Sequence, residues 1–179
     1  PQTISVDVLS KPVSWQTSVR FGGTPGRAAI ARPPVVVNEV LSASAQAGLV
    51  DQIELFNPSS QTVDIGGWYL SDAAREPRKY RIPDDRQLGP GEYAVFDERH
   101  FNVEPTDDDS ASFALSRFGD DVWLSIFEGD TERDRLFVDD VHFPAAEESV
   151  SFARVPNGTG RLVPVSSPTF GGPNAEPRL

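Results

Sequence analysis

What most restricts this chain is the rhythm of its apolar residues. They come in short runs broken by turn residues, and nowhere do they keep a 3.6-residue period over the roughly 10 to 12 positions a helix needs. The runs are Val35 to Leu41, Gln52 to Phe56, Val63 to Leu70, Lys79 to Ile82, Tyr93 to Phe96, Phe113 to Leu115, Val122 to Phe127, Leu136 to Phe143 and Val150 to Val155. Within them the alternation is two-fold, as in Ile53 and Leu55 on one face of their run, and this is the pattern of a half-buried strand. The turn Asn57-Pro58-Ser59-Ser60, the pair Gly66-Gly67 and the triplet Gly89-Pro90-Gly91 punctuate the runs, and 16 prolines are scattered through the chain. The expected fold is all-β, an antiparallel β-sandwich. One connection, Asp97 to Ser110, is long, polar and acidic, the kind of loop that is usually functional or mobile.

Composition narrows the chemistry. At 179 residues the chain is one domain with a piece to spare. Cysteine is absent, which removes disulfides, thiolate metal sites and thiol nucleophiles together, and two histidines, His100 and His142, are too few for a multi-histidine metal centre. The net charge of -11 repels phosphate backbones and anionic lipid, so neither a nucleic acid nor membrane insertion is expected. That charge is unevenly divided: residues 1–34 carry +3 and residues 35–174 carry -14. With the stiff pair Pro33-Pro34 at the change, residues 1–34 read as the tail of a preceding module or a linker, 35–174 as the sandwich, and 175–179 as a trailing linker. The chain opens on Pro1 and has no methionine, which reads as a cut or processed fragment.

Three kinds of site meet these constraints differently. No serine lies in a nucleophile-elbow motif, and His100 and His142 share no pattern, so no catalytic residue is assigned and the chain is not expected to be an enzyme. Calcium is the one inorganic partner the residues offer, through the hard oxygens of Asp107, Asp108 and Asp109, although no EF-hand spacing is present and no cofactor is assigned. Trp68, Tyr69 and Trp123 are large enough to stack a sugar ring if exposed, while Trp68 after two glycines fits the sandwich interior better.

The body resembles the lamin tail domain, an immunoglobulin-like β-sandwich. The resemblance rests on Val37-Asn38-Glu39-Val40, then Asp51-Gln52-Ile53-Glu54-Leu55-Phe56-Asn57-Pro58, then Gly67-Trp68-Tyr69-Leu70-Ser71-Asp72. It closes with Ser151 to Gly158 and Ser167 to Asn174. The short polar groups Asn57 and Asp72 sit where a turn needs backbone partners, and Glu39 and Glu54, flanked by apolar residues, are expected to be partly buried and paired with Arg154. Phe21-Gly22-Gly23 also echoes Phe170-Gly171-Gly172 at the other end. The resemblance implies a non-catalytic module of a larger bacterial protein, extracellular or in the cell envelope, contacting other modules of its own chain and protein or glycan at a surface. A carbohydrate-binding module beside an enzyme is the alternative.

Overall fold

The computed structural model describes residues 18–24, 30–42, 50–103, 112–145 and 147–178. Its strands are β1 Val36–Leu41, β2 Gln52–Phe56, β3 Val63–Asp64, β4 Tyr69–Ser71, β5 Tyr80–Arg81, β6 Gln87–Leu88, β7 Tyr93–Asp97, β8 Gly119–Phe127, β9 Arg135–Pro144, β10 Phe152–Val155 and β11 Arg161–Pro164. A four-residue helix, α1 Glu98–Phe101, follows β7, and a single 3-10 turn, Glu132–Asp134, precedes β9. The strands form a five-stranded sheet in the order β11-β10-β1-β2-β7, a four-stranded sheet β5-β4-β8-β9 and a small pair β3-β6. All pairings are antiparallel. The alternation works as expected: Val37, Val40, Ile53, Leu55 and Phe96 from one sheet meet Leu70, Val122, Leu124, Val141 and Phe143 from the other in one buried core.

Three expected elements differ from the reading of the sequence. Val63 to Leu70 is not one strand, because Gly67 takes φ +74 and turns the chain, so that β3 and β4 join different sheets. Phe113 to Leu115 forms no strand; Phe113 and Leu115 are buried, and their backbone N–H groups donate instead to the Phe101 carbonyl (2.9 Å) and Asp51 Oδ2 (2.7 Å). The loop from Asp97 opens with α1, whose N-terminus Asp97 caps by accepting from Arg99 N at 3.0 Å.

Two bulges interrupt the ladders. Between β1 and β2 the register skips at Asn38, with Val37 opposite Leu55 but Glu39 opposite Glu54. Between β8 and β9 it skips at Val138, with Leu124 opposite Asp139 and Ser125 opposite Phe137. The first bulge sets Glu54 against Glu39 rather than Asn38, and the second sets Leu124 against Asp139, a polar residue, rather than Val138.

Candidate functional site

Glu39 and Glu54 lie directly opposite each other on neighbouring strands, fully buried, an arrangement that repels unless each carboxylate finds donors. The donors come largely from the closing segment of the chain, which crosses the outer face of the five-stranded sheet. Thr169 donates to Glu39 from its backbone N (3.0 Å) and its hydroxyl (3.0 Å), and Ser151 Oγ adds a bond of 2.5 Å. Gly171 N donates to Glu54 at 2.5 Å and Asn38 Nδ2 at 2.8 Å. Burial pushes Glu54 up to about 7, with Glu39 beside it adding to the rise and the Asn38 and Gly171 bonds opposing it. Burial raises Glu39 as well, against its bonds from Ser151 and Thr169.

Asn38 is the hub that joins this pair to the turn between β10 and β11. Its amide also contacts Asn157 Oδ1 (3.2 Å) and Asn174 Oδ1 (3.1 Å), and its side-chain oxygen accepts from Gly158 N at 2.9 Å. Gly158, at φ +71, brings its backbone so close to Phe56 that a Cβ would sit 2.6 Å from the ring.

Arg154 corrects an expectation. It pairs with neither glutamate: its Nη2 lies 2.9 Å from Asp139 Oδ2, while Nε and Nη1 donate to the carbonyls of Val37 (2.8 Å) and Gly160 (3.0 Å). Asp139 also accepts from Val37 N at 2.8 Å. Because Asp139 belongs to β9 and Val37 to β1, this pair ties one sheet to the other. The β9 bulge delivers a carboxylate that outcompetes two glutamates already occupied by uncharged donors. Burial raises Asp139 and the Arg154 guanidinium opposes the rise. The sequence does hold a signal for it, since the inward alternation of Leu136 and Val138 resumes out of phase at Val141 and Phe143, across Asp139-Asp140.

The other sequence-singled residues lie apart from this cluster. Asn57 is buried and organises its own turn, donating to the Gln61 and Leu88 carbonyls (2.7 and 2.8 Å) and accepting from Ser59 N (3.0 Å). Asp72 pairs with Lys79 at 2.6 Å. Asp107, Asp108 and Asp109 lie outside the described residues, and among the described residues no three acidic or histidine side chains converge as metal ligands would. His100 sits beside Asp97 (2.9 Å) and His142 beside Asp121 (2.9 Å), each in a separate place.

The rings are divided between interior and surface. Trp68 is buried in the core and is no stacking platform. Tyr69, its neighbour in sequence, points the other way and meets Phe127 edge to face at 5.5 Å, with the Arg78 guanidinium 3.9 Å over Phe127. Trp123 is half-buried on the same outer face, beside Phe137 (6.1 Å) and the fully buried Arg135, whose guanidinium stands 4.3 Å over Phe137. Sequence reasoning missed Arg135, because an arginine heading a strand gives no sign that rings will cover it.

An antiparallel sandwich whose internal charges serve to fasten strands to loops defines a structural module of the immunoglobulin type. The model of the lamin tail domain family matches residues 28–138, and the chain belongs to that family. The match ends within β9, so β10, β11 and the closing segment that clasps Glu39 and Glu54 lie beyond it. Comparison with curated proteins found no match, and neither did comparison with solved structures.

Proposed function

We propose that this chain is a non-catalytic interaction and spacing module of a larger protein exported to the cell envelope or the extracellular space. One observation carries the reading: the buried carboxylates Glu39, Glu54 and Asp139 are engaged by donors from the chain's own strands and loops, so their chemistry closes the fold rather than facing a cleft. A sandwich fastened in this way holds its loops at fixed separations, which suits presentation of a surface and spacing of neighbours. Adhesion, by contact with protein or glycan, is the role such a surface would serve.

The test has two arms. Fractionation and protease shaving of intact cells are expected to find the natural full-length protein outside the cytoplasmic membrane; confinement to the cytosol would remove the exported role. A panel of ester, peptide, glycoside and phosphoester substrates is expected to show no turnover. Turnover abolished by one substitution, such as Glu54→Gln, would make the module an enzyme and overturn the reading.

A further inference from the structure

Both ends of the described chain are paired into sheet edges. On the entering side, Val19 is buried, its carbonyl accepts from Phe137 N at 2.6 Å, and Phe21 N donates to the Arg135 carbonyl at 3.0 Å. These bonds make an antiparallel bridge between Arg20 and Leu136 on β9, the edge strand of the four-stranded sheet. The Arg20 guanidinium is bonded to Glu128, and Phe21 packs 6.2 Å from Phe137. On the leaving side, Ser166 N donates to the Glu176 carbonyl (3.1 Å) and Arg178 N to the Pro164 carbonyl (2.8 Å), bridging Val165 to Pro177 next to β11, the edge of the five-stranded sheet. Arg178 is further held by Glu147 at 2.8 Å.

The two ends also share a local shape. Arg20 to Gly23 and Thr169 to Gly172 are both turns with phenylalanine second and glycine third, with the third residue at φ +78 in one and +84 in the other. In each the fourth N–H returns to the first carbonyl, at 2.9 and 3.1 Å. The turn at Thr169 clasps the glutamate pair, whereas the turn at Arg20 starts at the bridge to β9.

We infer that the segments 18–24 and 176–178 are stitched joints: β9 and β11 are docking edges whose partners are the adjoining stretches of the same polypeptide, which therefore leave the domain in set directions. A free linker explores many orientations, whereas a segment paired at a sheet edge explores few. The same pairing covers the start of β9 and the end of β11, and there it keeps off a foreign strand. The inference rests on the spacing role proposed above and gives it a mechanism.

The absence of cysteine makes the test direct, because introduced cysteines are the only labelling sites. Spin labels on the whole chain at Thr24→Cys and Ser60→Cys, and separately at Glu176→Cys and Ser60→Cys, are expected to give narrow distance distributions by pulsed electron resonance. Phe21→Pro, which removes the N–H bonded to Arg135, should broaden the first and leave the second; Arg178→Pro should do the reverse. Hydrogen exchange at the Phe137 amide should quicken about tenfold or more in Phe21→Pro. A broad distribution in the parent chain, or one that neither proline changes, would overturn the stitched joints while leaving the non-catalytic reading intact. Substrate turnover would do the opposite, since it does not depend on how the ends are held.

Discussion

The outer faces of the two sheets carry opposite charge problems and answer them differently. On the five-stranded sheet the buried groups are acceptors, Glu39 and Glu54, and a crossing segment, with Ser151 and Asn38, brings N–H and O–H donors to them at 2.5 to 3.0 Å. On the four-stranded sheet the buried groups are donors. Arg135 gives Nε to Ser125 Oγ (3.1 Å) and Nη1 to the Ala74 carbonyl (2.6 Å), and its nearest carboxylate, Glu132, stands at 4.0 Å. Arg20 Nε, Arg78 Nε, Trp123 Nε1 and Arg135 Nη2 are buried there without a hydrogen-bond partner. Arg20 pairs with Glu128, and for the others aromatic faces take the place of counter-charges, with Arg78 over Phe127 and Arg135 over Phe137. The first face is therefore held by donors that converge on buried carboxylates, and the second by guanidinium groups stacked on rings and bonded mainly to neutral acceptors. Arg154 and Arg135, both largely buried, fall on either side of this division, since only Arg154 touches a carboxylate.

The comparison can be broken most sharply at Arg154. Arg154→Met should lower stability by about 3–5 kcal/mol in urea unfolding, because it strands the Asp139 carboxylate, and Arg154→Met combined with Asp139→Leu should recover part of that loss, the Val37 N–H being left without its acceptor. A double variant as unstable as the single one would show that the pair is not the source.

Next in size is the response to pH, to which Glu54 on the acceptor face should contribute. The folded state holds a proton on Glu54 more tightly than the unfolded chain does, so stability is fullest below the unfolded value of 4.5 and falls as pH rises through about 7. The change from this residue is about 3 kcal/mol at most. Burial lifts Asp51 to about 7 too, so the contribution of Glu54 is the difference between the parent slope and that of Glu54→Gln. Equal slopes in the two proteins would disprove the assignment.

Asn38→Ala removes the hub of the clasp and leaves Gly158 N–H and one oxygen of Glu54 without partners, at a cost of about 2 kcal/mol by thermal or urea unfolding. The smallest effect is expected at Arg135→Met, about 1 kcal/mol or less in either direction, because a buried cation with no touching anion is readily replaced by an apolar chain of similar volume. A loss at Arg135 as large as that at Arg154 would erase the distinction between the two faces.

Much of this was legible along the chain. Alternation in Gln52 to Phe56 sends Ile53 and Leu55 to the core and leaves Glu54 on the other face, and the same parity separates Trp68 from Tyr69. The partner of Arg154 was not legible as a contact, because 15 positions and the passage from one sheet to the other separate it from Asp139 and only a bulge brings the carboxylate inward. Nor was the strand at Phe113 to Leu115 excluded by its residues. Their apolar character requires burial, and burial is met there by packing under α1 and bonding to Asp51 without a ladder.

By itself the sequence determined that the protein is a β-sandwich with turns at its glycines, prolines and asparagines, because side-chain parity and backbone stereochemistry are local properties. Which charged groups meet, which carboxylates lose water, and which edges the two ends cover were decided only when both sheets closed. Those outcomes depend on register, and register is a relation between strands far apart in the chain.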